Sequence, residues 1–200
     1  MRLPDTAHIS RPWRVHEIAR DFELEDVWAL PTPGGPDDFP RLVRQIAASD
    51  PLRSFPRPAR ALWELRDKIG ELLGWDSPDT GPGVPTLRGR LPADLRVAPA
   101  GPEFDALPAT SLYLTDDELA AEGANRTVHG VLHIGWVPDG AGGHRGQLAV
   151  LVKPNGLFGR AYMAAIKPFR YLIVYPALMR MIGREWRERD RPGMEKGESG

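Results

Sequence analysis

Apolar residues recur along this chain with two different periods. Leu62, Leu65, Ile69 and Leu72 follow one another at steps of three, four and three, the spacing of one apolar stripe on a helix. Pro58 stands where a first helical turn tolerates it, and Gly74 where a left-handed stop is expected. A shorter helix is predicted upstream, capped by Asp37 or Asp38, with Leu42, Val43 and Ile46 on one face. Before it, Trp13/Val15 and Val27/Trp28 suggest short extended pieces, and Pro31 to Pro36 a loop.

In the second half the period changes to two. Thr110 to Thr115 reads as a strand. From Thr127 to Val137, Val128, Leu132, Ile134 and Trp136 fall on one face, and His129, Val131 and His133 on the other. The stretch Asp139 to Gly143 reads as a hairpin turn and Gln147 to Lys153 as its return strand. Asn155-Gly156 turns the chain into a helical region from about Leu157 to Arg189, which Pro168 and Pro176 should break or kink. On that helix Leu172, Met179, Ile182 and Trp186 are expected to face the sheet, with Arg170, Arg180, Arg184 and Arg187 on the opposite stripe. The fold class is therefore α+β: two shorter helices early, consecutive antiparallel strands across residues 111–153, and a long closing helix. Between the halves, residues 76–103 carry 6 Pro and 4 Gly in 28 positions and read as an irregular internal loop. Residues 1–190 are expected to form a single domain, and the polar stretch 191–200 a disordered tail.

Composition narrows the function classes. Of 200 residues, 42% are hydrophobic and 26% charged, which suits a chain with a real core. Lys+Arg 26 against Asp+Glu 27 argues against a general nucleic-acid binder, which needs a basic surface. The absence of Cys excludes disulfides, thiolate nucleophiles and Cys-type zinc sites. The most apolar stretch, residues 161–183, contains Lys167, Arg170 and Arg180 and two prolines, so it reads as a core helix and not as a membrane span. The first residues show no secretory pattern, and a cytoplasmic location is expected. The cations are 22 Arg and 4 Lys, a bias that points to GC-rich, bacterial codon usage.

His129 and His133 are the first candidates for chemistry. In a strand they point the same way about 13 Å apart, too far to share one metal ion. No metal and no cofactor are expected. The pair reads as a polar sheet face or as the lining of a cavity, where imidazole titrates near neutrality. The acidic group Asp116, Asp117, Glu118 and Glu122 reads as a solvated turn or helix N-terminus, with a general acid or base as the sharper alternative. Arg126 enters the histidine strand, where it pairs with one of those acids or binds a carboxylate. Tyr162, Tyr171 and Tyr175 sit on the closing helix with Phe158 and Phe169, as plain core or as the wall of an apolar pocket. The chain carries no nucleophile elbow, no P-loop and no dinucleotide glycine motif.

Two stretches resemble a known family. Asp116-Asp117-Glu118, then Asn125-Arg126-Thr127-Val128-His129 and His133-Ile134-Gly135-Trp136, are similar to the middle of domain-of-unknown-function family 2867. So are Asn155-Gly156-Leu157-Phe158-Gly159-Arg160-Ala161-Tyr162 and the run from Ile166 to Pro176. The resemblance implies a START/SRPBCC helix-grip fold, in which a curved antiparallel sheet wraps around a long C-terminal helix and leaves a cavity between them. It implies no residue-by-residue activity. The expected function is binding of a small apolar or amphipathic molecule in that cavity, lined by Tyr113, His129, His133, Tyr162 and Tyr171. Two other readings stand beside it. One is a cyclase/dehydratase-type enzyme with His129, His133 or Arg126 as candidate catalytic groups, and the other is an interaction module with a filled core.

Overall fold

The computed structural model describes residues 1–50, 86–104, 106–107, 109–124 and 128–189. The helix predicted around Leu65, the residue Arg126 and the tail 191–200 lie outside them. Five strands make one antiparallel sheet in the order β1-β5-β4-β3-β2. They are β1 (Glu23–Ala29), β2 (Thr110–Leu114), β3 (Glu118–Ala124), β4 (Val128–Pro138) and β5 (His144–Pro154). The two long strands pair along their whole length, from Val128↔Pro154 to Pro138↔His144, about a turn in which Gly140 and Gly142 adopt positive φ. Thus the architecture is α+β, as the change of period implies.

Alternation on β4 separates two faces, and both are covered. Ile134 and Trp136 join Leu119 of β3 and Leu148 of β5 in one apolar cluster. Over this face lie α3 (Phe39–Ala48), with Phe39, Leu42, Val43 and Ile46, and the C-terminal helix, with Met181, Ile182 and Trp186. Gln45 of α3 also donates to the Ile182 carbonyl at 2.9 Å, which ties the two helices together. The opposite face, with Val131, Val137, Ala120, Ala149 and Leu151, is closed by the N-terminal segment and by part of the Pro/Gly-rich stretch. Two short helices, α1 (Thr6–Ile9) and α2 (Val15–Ile18), carry the first. In the second, a 3-10 turn (Leu87–Arg90) and α4 (Ala93–Val97) bury Leu87, Leu91 and Leu95. Those leucines recur at steps of four, a helical signal that the surrounding prolines and glycines obscure.

The C-terminal region is helical throughout, in three parts: α5 (Gly156–Phe169), a π-helical segment (Arg170–Val174) and α6 (Tyr175–Arg189). The π segment falls between Pro168 and Pro176, the residues expected to break or kink the helix. A π turn holds more residues than an α turn, so it shifts the facing of whatever precedes it. Ile182 and Trp186 of α6 are buried as the stripe predicts, but Leu172 is 76% exposed. Arg170, placed by an unbroken helix on the outer stripe, instead turns inward to Asp26. No helix among the described residues is long and apolar enough to cross a membrane.

Trp186 has no exposed surface and lies at the contact of α3, α6 and the sheet. Trp186→Ala is expected to lower the unfolding free energy by about 3–5 kcal/mol, as aromatic truncations in cores do. A denaturant titration followed by far-UV circular dichroism measures it. Asp26→Ala, which would leave the Arg170 guanidinium without its carboxylate, is expected to cost about 3–5 kcal/mol in the same assay.

Candidate functional site

The face that carries His129 and His133 holds a buried polar chain. On β3, Glu118, Ala120 and Glu122 point to this face, and Ala120 pairs with His133 across the ladder. Glu118 and Glu122 are four residues apart, as are His129 and His133. The antiparallel register therefore sets each glutamate diagonally across from one histidine. His133 Nε2 lies 2.8 Å from Glu118 Oε2, and His129 Nε2 lies 3.0 Å from Glu122 Oε2.

Glu118 is buried and satisfied from three directions. Besides His133 it accepts the Tyr113 hydroxyl of β2 at 3.0 Å and the backbone N–H of Arg14 at 2.9 Å. Burial alone would raise its pKa. The hydrogen bonds from His133, Arg14 and Tyr113 outweigh that, and the carboxyl lies below its usual range. Burial, with Glu118 alongside, pushes the Tyr113 phenol far up, so the hydroxyl stays a donor. Glu122 is likewise raised by burial and pulled lower overall by His129, Thr86 and the Leu87 amide, the last at 2.9 Å. Glu122 thus fastens the 3-10 turn to the sheet.

The chain continues beyond His133. His133 Nδ1 is 3.1 Å from His8 Nε2, and His8 Nδ1 is 3.2 Å from His16 Nε2. Successive rings stand nearly perpendicular, with centroids 5.0 and 4.9 Å apart. His8 comes from α1 and His16 from α2. His8 and His133 are buried, whereas His16 is half-buried. Burial first, then His133 and His16, hold the His8 pKa down to about 3, so this ring is neutral. Burial also lowers His16. In a neutral chain the donors have one direction. Glu118 only accepts, so His133 carries its proton on Nε2, His8 donates to His133, and His16 donates to His8. The three rings lie end to end and do not converge on a point. Among the described residues no three His, Asp or Glu groups are arranged to hold a metal ion.

Beside this chain a cleft of about 450 Å³ is lined by Trp13, Trp136, Arg11, Thr115, Asp117 and Glu118, among others. Trp13 lies on Gly135, where a Cβ would stand 2.6 Å from the indole ring, so the strand glycine is what admits the ring. The same indole lies 5.0 Å from the His133 ring. Its Nε1–H is buried without a hydrogen-bond partner. The Arg11 guanidinium sits 5.9 Å over the Trp13 ring. The Arg14 guanidinium is engaged by Glu17 at 2.6 Å and Asp94 at 2.7 Å.

A second polar cluster occupies the other face. Asp26 of β1, fully buried beside a β-bulge, accepts from Arg170, Tyr171 and Tyr175, the last at 2.7 Å. Burial and the bond to Asp26 push Tyr171 up to about 12. Trp28 Nε1 and Arg170 Nη1 are buried without hydrogen-bond partners, the latter 3.6 Å from Glu25 Oε1. The Trp28 ring centroid lies 4.6 Å from that of Tyr175, and the Arg170 guanidinium 5.6 Å from it.

The structure therefore divides the expected site residues. Tyr113 and His133 meet at Glu118. His129 shares their face but pairs with Glu122. Tyr171 belongs to the cluster on the opposite face, and Tyr162 is half-buried on α5. The sheet separates Tyr171 from the histidines, because α6 packs on the more apolar face, that of Trp136. Glu118 and Glu122, read as solvated, are buried strand residues. Their spacing, equal to that of the two histidines, is the signal that pairs them. His8 and His16 carry no such signal, since they come from separate short helices.

The family described as Protein of unknown function (DUF2867) matches residues 18–177. No curated protein and no solved structure matches the chain.

The buried neutral His8 makes stability depend on pH in a definite direction. Its folded pKa of about 3 lies below the unfolded value of 6.5, so the unfolded chain binds the proton first as pH falls. Stability is expected to be intact above about pH 6.5 and to fall toward pH 3, with a slope approaching about 1.4 kcal/mol per pH unit from this group. Urea midpoints measured across this range should show it, and His8→Phe should flatten the slope.

Proposed function

We propose a ligand-binding function for this chain, which belongs to the family of proteins of unknown function DUF2867. The ligand is a small amphipathic molecule, and its place is the cleft between Trp13 and Trp136. The observation that carries this reading is the cleft itself. Its volume of about 450 Å³ is in the range of small-molecule sites, and its lining includes Trp13 together with Arg11, Asp117 and Glu118. The unpartnered Trp13 Nε1–H offers a donor to a carbonyl or carboxylate, and Arg11 offers charge beside it. We read the architecture as a helix grip of the START/SRPBCC kind. The antiparallel sheet and the C-terminal helix across one face support this.

A second placement has its own observation. At the seam of β1 and the π segment, Trp28 Nε1 and Arg170 Nη1 are donors without hydrogen-bond partners, both on side chains packed against Tyr175. There the head of an amphipathic ligand would sit between sheet and C-terminal helix, with Tyr171 beside it.

Titration with 1-anilinonaphthalene-8-sulfonate, an anionic aromatic probe, distinguishes the placements. Saturable binding that Trp13→Ala weakens about tenfold, a loss of about 1.4 kcal/mol, is the expected result. Near-UV circular dichroism checks that the variant stays folded. Weakening by Trp28→Phe instead would move the ligand to the seam. No saturable binding, together with an unliganded mass in native mass spectrometry of protein purified from its own host, would overturn the reading.

A further inference from the structure

We propose that His16, His8 and His133 form a proton relay between solvent and the Glu118 carboxylate, which makes the adjoining cleft an acid/base site. The relay rests on the geometry of four side chains, and its use in chemistry rests on the reading of the cleft as a ligand site.

Four groups lie end to end, with contacts of 3.2, 3.1 and 2.8 Å. A proton that arrives at His16 Nδ1 forms an N–H bond there and releases the Nε2 proton to His8 Nδ1. His8 in turn releases its Nε2 proton to His133 Nδ1, and His133 releases its own to Glu118 Oε2. One proton has then moved from solvent to the carboxylate. Each ring has gained one N–H and lost one, so each ends neutral in the opposite tautomer. Burial opposes an imidazolium inside this face, and the relay needs none in either end state. Such a transfer suits His8 and His16, which burial holds toward the neutral form.

The layout exceeds what structural satisfaction requires. His133 Nδ1 needs a single donor, and His8 supplies it. The chain nevertheless continues through a second ring to a third that is half-buried. On the other side Trp13 packs against His133. The groups that face the relay are few. Tyr113 from β2 and the Arg14 amide donate to Glu118, and Arg14 and Glu17 from the N-terminal segment act on Tyr113 through their charges. Asp94 of α4 neutralises Arg14. The substrate class that fits is a small carbonyl compound that gains or loses a proton at an atom held against Glu118.

Exchange of the His133 Nε2 proton with solvent, measured by nuclear magnetic resonance on histidine-labelled protein at neutral pH, tests the relay. His129, paired with Glu122 outside the relay, is the internal reference. His8→Phe is expected to slow exchange at His133 about tenfold and to leave His129 unchanged. His16→Phe cuts the chain at its outer end and should do the same, which guards against loss of folding in the first variant. Exchange at His133 should also persist with the cleft filled by 1-anilinonaphthalene-8-sulfonate. Unchanged or faster exchange in the folded variants, or exchange blocked by the probe, would overturn the relay. Because exchange is first measured without ligand, the relay can fail while probe binding survives, and the reverse.

Discussion

The buried carboxylate of Glu118 ties together parts of the chain that would otherwise have little reason to meet. It accepts from β2 through Tyr113, from β4 through His133, and from the N-terminal segment through the Arg14 amide. A carboxylate removed from water is costly unless each lone pair is used. Three donors from three places meet that cost together, and each is held by the need to meet it. With Arg14 fixed, Trp13 lies on Gly135 and α2 packs Val15 and Ile18 against the sheet. The second face of the sheet is thereby closed.

Covering both faces changes what the sheet can do. An antiparallel sheet commonly leaves one face to water. Here the covered second face holds three imidazoles and a carboxylate in fixed order. The cleft beside them has Glu118 in its lining, and that carboxylate is hydrogen-bonded to this chain. The first face is different in kind. It is filled mainly by α3 and α6, and the polar cluster around Asp26 sits where the C-terminal helix departs from α geometry.

That departure shows how a local constraint becomes a tertiary one. Pro168 and Pro176 lack the N–H that an α-helix needs at their positions. The π segment between them changes the facing of Arg170 and Leu172 relative to α6. The arginine reaches Asp26 and the leucine faces out. A residue-by-residue helical wheel drawn through both prolines gives the reverse of this, while it places Ile182 and Trp186 correctly because they follow the segment.

The part of the fold written in short periods is legible along the chain. Alternation in β4 separates the histidine face from the Trp136 face, the glycines at 140 and 142 turn the hairpin, and Leu42, Val43 and Ile46 face inward on α3. These depend on neighbours within a few residues, where geometry is fixed by the backbone. The site was legible in half. His133 and Tyr113 were candidates, but Glu118 read as solvated because three adjacent acids at a turn usually are. Only the strand register set Glu118 diagonally across from His133. Only tertiary packing brought His8 and His16 into line, and put the closing helix on the opposite face from the histidines. Contacts across more than a hundred residues leave no period in the chain. They are decided by which buried polar groups can satisfy one another once the apolar faces have closed.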